Sequence, residues 1–318
     1  MASNEFYHAL KPILWLSKYL GTLPLDFIEV QGRISVKTNR VLGFFSLIYS
    51  LFNIIRDFKY VHGSFSKQAK RFVPAGVLVA LGDLSFSSFV VSLYSSTWIK
   101  ITQFPVILKK FDEISAIIPL PSATRAKFTI CFIFILVQTM DTFKFLNYLL
   151  RIISNLSLVD SLAWFMSFLS LVNLNVVDIE FWALCYLVYQ YLTALNDKLR
   201  AILGNELSER RLDEIEVTRP TVCNLIDISE LINSLYGTCL LCSLSMRCIN
   251  LQHDGFICLR LYYERGIIFD PKVLKYASWF LIHLSRCLLL VWVCSKVKSE
   301  VRDFLTVKVY QYFLKNLV

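Results

Sequence analysis

Charge is scarce in this sequence: 18% of its 318 residues are Asp, Glu, Lys or Arg, against roughly 25% in an ordinary soluble domain. Helix breakers are scarce too, with 10 Gly and 8 Pro in the whole chain. There is no Gly-rich phosphate loop, no nucleophile elbow and no pair of carboxylates at catalytic spacing, and the serines lack a matched base, so no enzyme is expected. No cofactor is expected either. His253 and His283 stand without further ligands at metal-binding spacing, which argues against a metal site. The net charge of +9 invites a nucleic-acid reading, but the basic residues sit singly or in pairs among apolar runs, and no nucleic-acid partner is expected. The first forty residues have neither the unbroken apolar core nor the small-residue cleavage site of a signal peptide. No internal repeat interrupts the chain.

What is present is apolar bulk. Hydrophobic residues make up 56% of the chain and aromatics 14%, with 25 Phe and a mean hydropathy of +0.55. That composition defines an all-α, polytopic helical membrane protein. Its longest uninterrupted helical stretch is 161–200, forty residues without Gly or Pro, with Gly204-Asn205 as a C-cap signal. At 1.5 Å per residue this helix would run about 60 Å, roughly twice the hydrocarbon thickness of a bilayer. Half of it must therefore be covered by protein. Residues 161–177 carry no charge, whereas Asp178 and Glu180 open a second half that remains rich in Phe181, Trp182, Tyr186, Tyr189, Tyr191 and Leu195.

Six membrane spans are expected, at about 41–56, 72–99, 128–150, 161–180, 227–247 and 272–295, forming one transmembrane bundle over 1–295. A helical extension over 296–318 completes a single domain. The segment before the first span, broken by Pro12, Gly21 and Pro24, reads as an interfacial helix. Residues 100–127, with Pro105, Lys109, Lys110, Pro119 and Pro121, read as a loop, and 205–220 as a polar connector. The last helix starts at Pro271, a favourable first helical residue, and extends past Ser295 with apolar residues at the three-and-four spacing of a packing face. Alternate connections, beginning with the amino-terminal forty residues, hold 20 Lys and Arg, and the intervening ones 11. The positive-inside rule then places both termini in the cytoplasm. The sequon Asn155-Leu156-Ser157 falls outside in that topology.

Three local patterns carry a family resemblance. The first is Lys11-Pro12-Ile13-Leu14-Trp15-Leu16-Ser17-Lys18-Tyr19-Leu20-Gly21, ending in Leu23-Pro24. The second is the run 181–199 with Tyr191, Leu195-Asn196 and Leu199. The third is Cys294 followed by Glu300. In order and spacing these resemble the insect gustatory receptors, seven-helix chemosensory channels related to odorant receptors. The resemblance implies a taste receptor in the plasma membrane: a ligand-gated cation channel subunit for small tastants such as sugars or bitter compounds, set in lipid as a homo- or hetero-tetramer. The family's last-helix signature, Thr-Tyr, five mostly apolar residues and Gln-Phe, is not matched. The tail offers only Tyr310-Gln311-Tyr312-Phe313. The expectation is a receptor lacking its seventh, pore-lining helix, with a truncated, non-conducting subunit that assembles with full-length receptors as the alternative, and a transporter as a further one.

Candidate ligand-binding residues follow from charge and aromaticity inside the spans. Asp141 and Lys144 are intramembrane charges three residues apart, and Arg286 is a third, so each should face the bundle interior. An intrahelical Asp141–Lys144 pair that only fixes packing is the plain alternative. Tyr148, Trp164, Asn173, Tyr276, Trp279 and His283 fall in outer halves of spans, where stacking faces and a few donors would suit a small polar ligand. Their plain alternative is aromatic belt and core. Tyr189, Tyr191, Asn196, Phe304 and Leu305 lie on the apolar extensions of the fourth and sixth helices and are candidates for joining subunits. Most of the nine Cys sit inside apolar runs; Cys248 and Cys258 approach the outer face, where a disulfide between them is conceivable.

Overall fold

A computed structural model describes the backbone of residues 5–30, 33–45, 48, 51, 52, 55, 74–120, 122–152, 158–203, 209–265 and 271–317. The elements are helix α1 (Glu5–Tyr19), strands β1 (Leu25–Val30) and β2 (Arg33–Thr38), and helices α2 (Pro74–Ile117), α3 (Ala123–Ile152), α4 (Leu158–Leu203), α5 (Glu209–Arg265) and α6 (Pro271–Leu317). The expected polytopic helical membrane protein is what forms. Among the described residues three helices are long and apolar enough to cross a membrane, on α4, α5 and α6. Of the first expected span, residues 41–45, 48, 51, 52 and 55 are helical and the others lie outside the described residues, as does the Gly204-Asn205 cap signal.

The long helix expected at 161–200 is present as α4, 46 residues. It is the axis of the bundle, bordered by α1, α3, α5 and α6. Every residue from 173 to 184 is buried, the pattern of a helix enclosed on all sides rather than of a one-sided amphipathic one. The enclosing helices turn the opposite way: Leu281, Leu288 and Val291 on α6 are about 60% exposed, a face that only lipid would cover.

Four expectations are corrected. Residues 100–117 are not loop but the continuation of α2, whose 44 residues include Pro105. The proline removes one backbone hydrogen bond, yet Phe104, Ile107, Leu108, Phe111 and Ile114 beside it are all 3% exposed or less, so core burial holds the helix through the break. The break comes instead at 118–122, where the Ser122 hydroxyl accepts from Arg125 N at 3.2 Å and caps α3. Likewise, α5 starts at Glu209 and runs 57 residues to Arg265, through most of the expected connector and eighteen residues past the expected span. All nine cysteines are free, and Cys248 and Cys258 lie ten residues apart on this one helix, about 15 Å along its axis, too far for a disulfide.

The fourth correction is at the amino terminus. Among the described residues before Asn39 the helical ones are Glu5–Tyr19, and an antiparallel hairpin follows, with Phe27 opposite Val36 and Val30 opposite Arg33. Helix α1 buries Phe6, Leu10, Ile13 and Leu14 against the bundle, its Phe6 ring stacked on Phe111 at 5.6 Å. Its end is a Schellman turn: Thr22 N donates to Ser17 O at 3.0 Å, Gly21 N to Lys18 O at 3.1 Å, and Gly21 takes φ 74°. Lys18 then pairs with Asp26 at 2.6 Å, and that hydrogen bond raises the lysine above its ordinary pKa. The side chain of Asn39 bonds Asp26 and accepts from Leu42 N at 3.0 Å, capping the helical residues that start at 40. The residues Lys18, Gly21 and Pro24 are thus the joints of a compact helix-turn-hairpin clasp.

Gly21→Ala would force a β-carbon into the left-handed region and should cost roughly 1 kcal/mol or more. Gly43 lies in a helix with open space where a β-carbon would go, so Gly43→Ala should be neutral or stabilising. Thermal unfolding in mild detergent should show a lower midpoint for the first and an unchanged or higher one for the second.

Candidate functional site

Among the described residues, the buried polar side chains include four groups around α4, α5 and α6. Glu180, on α4, receives Lys100 Nζ of α2 at 2.8 Å and the Tyr236 hydroxyl of α5 at 2.9 Å on one oxygen, and the Thr22 hydroxyl at 3.4 Å on the other. Lys100 and Glu180 are 0% and 1% exposed, and the ammonium also lies 4.3 Å from the Tyr236 ring centroid. Burying two charges is costly, and this pair recovers the cost through hydrogen bonds on both sides plus a cation–π contact.

Two residues earlier on α4, Asp178 pairs with Arg247 of α5 and accepts from the Ser243 hydroxyl at 3.0 Å. Arg247 is 1% exposed, and its Nε and Nη1 are buried without a hydrogen-bond partner. One turn further back, Asn175 accepts from Arg286 Nη1 of α6 at 2.9 Å, while Nη2 reaches the Val137 carbonyl of α3 at 3.0 Å. Asn175 also reaches Gln138 at 3.4 Å. The charges that would forbid these helices from lying in lipid are turned inward and used to fasten α2, α3, α5 and α6 to α4.

The fourth group lies between α5 and α6. Asp254, 3% exposed, is 3.1 Å from Nδ1 of His253 and 3.9 Å from Nε2 of His283. The His253 ring approaches Tyr276 at 6.5 Å, and Tyr276 meets Trp279 edge-on at 5.4 Å. Lys275 Nζ sits 4.2 Å from the Trp279 centroid and 5.3 Å from that of Tyr276. Half-buried aromatic faces therefore stand beside a buried carboxylate and two imidazoles. Such a set can stack on a ring, donate and accept hydrogen bonds, and attract a cation.

Of the residues singled out from sequence, Tyr276, Trp279 and His283 meet in this group. Asn173 is 2% exposed on α4, with its Oδ1 buried and unbonded. Asp141, Lys144, Tyr148 and Trp164 are helical, on α3 and α4, with side chains outside the described set. Sequence reasoning missed Asp254 and Lys275 as partners, and treated His253 only as an unlikely metal ligand. Among the described residues no group of His, Cys, Asp and Glu is arranged to hold a metal.

The assembly candidates have partners within the chain. Tyr191, 0% exposed, packs on Phe111 at 5.8 Å and bonds Ser115 at 2.5 Å; because the Ser115 hydroxyl donates to Phe111 O, the tyrosine is the donor. Asn196 donates to the Glu300 carboxylate at 2.7 Å and to its carbonyl at 3.1 Å, so two of the sequence patterns meet in one contact between α4 and α6. Tyr189 and Phe304 are half-buried, and the side chain of Leu305 is outside the described set.

A long central helix is thus fastened by buried ion pairs, with apolar outer faces and a polar aromatic group between α5 and α6. The chain belongs to the 7tm chemosensory receptor family, which it matches over residues 10–307. No curated protein matches it. Membership makes it a receptor of taste or odorant type, recognising small molecules; this is a family of receptors rather than of enzymes.

Removing one member of the Asp178–Arg247 pair would strand a buried charge and should cost about 3–5 kcal/mol. Removing both together should cost markedly less. Detergent-solubilised Arg247→Leu should thus lose far more thermal stability than the Asp178→Leu/Arg247→Leu double variant.

Proposed function

We propose that the chain is a gustatory receptor of the insect kind, a ligand-gated cation channel subunit that detects tastants at the plasma membrane with its termini in the cytoplasm. The observation that carries this is the group Tyr276, Trp279, His253, Asp254 and His283, aromatic rings beside a buried carboxylate and two imidazoles in a chain of the chemosensory receptor family. The stacking faces would hold the ligand's ring, and the imidazoles and Asp254 would hold its hydroxyl or amine groups. Asp141, Lys144, Tyr148, Trp164 and Asn173 would extend the pocket toward α3 and α4. The positive-inside count supports the cytoplasmic termini.

The extensions of α4 and α6 would join subunits into a tetramer. Tyr191 and Asn196 would act indirectly, by setting the α4–α6 packing, and the half-buried Tyr189 and Phe304, with Leu305, would supply the surface. Replacing Tyr189 and Phe304 together by Asp should convert the oligomer to monomer in mild detergent, whereas Tyr191→Phe should leave it intact.

Ligand recognition is tested in cells displaying the chain at the surface, by tastant-evoked cation current and by tastant-dependent thermal stabilisation. Trp279→Ala and His283→Ala should shift the dose dependence of both by tenfold or more at unchanged surface density. Unshifted curves would contradict the assignment. Stabilisation without current, restored only by co-expressed receptors, would make the chain a non-conducting partner subunit.

A further inference from the structure

Away from the aromatic group, a cleft of about 240 Å³ opens between α5 and α6. Phe181, Cys185 and Val188 of α4 form its floor, Ile232 and Val297 its walls, and Lys298 its rim. The volume is below that of a pocket for a drug-sized ligand, about 300–1,000 Å³, and its lining offers few groups to orient a polar one. It suits a flexible apolar chain.

The position of the mouth narrows the occupant. Leu288, Val291 and Trp292 on the turns of α6 that lead to the cleft are exposed, an apolar face. That face ends at Lys296 and Lys298, both exposed. Apolar side chains, then a tryptophan, then lysines is the order met on leaving hydrocarbon for the headgroup layer. Among the described residues Lys298 makes no ion pair, and the carboxylate of Glu300 on the same turn is turned toward Asn196. A phospholipid seated there would place an acyl chain against Phe181, Cys185 and Val188 and its headgroup beside the Lys298 ammonium.

We propose that this cleft binds one acyl chain of an anionic membrane phospholipid, with Lys298 holding the headgroup phosphate or carboxylate. The lipid would wedge between α5 and α6 at the level where both contact α4. Cytoplasmic leaflets are rich in such lipids, and a lysine at that surface favours them over zwitterionic ones.

The test uses the full chain in lipid nanodiscs, with photoactivatable phosphatidylserine or phosphatidylcholine carrying the reactive group on the acyl chain and cross-linked peptides mapped by mass spectrometry. The phosphatidylserine probe should label peptides holding residues 181–188, 229–233 and 294–298 at least threefold more than the phosphatidylcholine probe. Lys298→Gln, a surface change that cannot disturb the core, should abolish that preference, and Ser229→Trp should block labelling by filling the cleft. Equal labelling by the two probes in the unaltered chain would overturn the proposal. So would labelling that persists in Ser229→Trp, or dimers captured through Cys294, which would identify a second copy as the occupant.

Discussion

The ion pairs that α4 makes with its neighbours are the constraint from which the rest of the bundle follows. A helix carrying Asp178 and Glu180 beside a long uncharged stretch cannot face lipid with those carboxylates bare. Lys100 and Arg247 answer them, from positions 80 and 69 residues away in the chain, and in doing so fix α2 and α5 against α4. Arg286, held by Asn175 and the Val137 carbonyl, adds α6 and α3. Apolar packing alone would let these helices slide, because one leucine face resembles another. Directional, buried charge contacts set their register.

That register reaches both ends of the molecule. Toward one end, Thr22 of the amino-terminal clasp closes on Glu180, so the helix-turn-hairpin is tied to the same charge group that holds α2. Toward the other, Arg286 lies one turn from His283 on α6 and Arg247 two turns from Asp254 on α5, so the histidine and aromatic group is carried on helices whose relative position is fixed close by. A ligand that altered the spacing of His283 and Asp254, 3.9 Å apart, would push directly on elements held by Arg286 and Arg247. This is a mechanical link between the candidate group and the helix pairs of the bundle.

Much of the architecture was legible because its signals were local. The absence of Gly and Pro over 161–200 marked α4, and Pro271 marked the start of α6. The misread parts had local signals that tertiary burial overrode. Pro105, Lys109 and Lys110 looked like loop, yet Phe104 and Phe111 bury beside the proline and Lys110 pairs with Asp227 at 2.7 Å, so α2 continues. The hairpin was available in principle: Leu25, Phe27, Ile34 and Val36 are apolar residues at period-two spacing on either side of a Gly, but the surrounding apolar helix pattern dominated the reading. The candidate group between α5 and α6 was half visible. Tyr276, Trp279 and His283 share a helix face, whereas Asp254 and His253 lie on a part of α5 read as connection. No periodicity could pair Arg247 with Asp178 or Lys100 with Glu180, since such contacts exist only once the fold brings distant segments together.

The account stands on α4 being clamped from outside by these charge pairs, and amide hydrogen exchange reads that directly. Comparing the intact chain with Lys100→Met in the same nanodisc, the loss of the Glu180 partner should speed exchange through residues 178–191 of α4 and around Tyr236 on α5, leaving residues 296–302 of α6 unchanged. Exchange that rose only at residues 98–102 of α2, with α4 still protected, would show that apolar packing alone holds the central helix and would contradict the account.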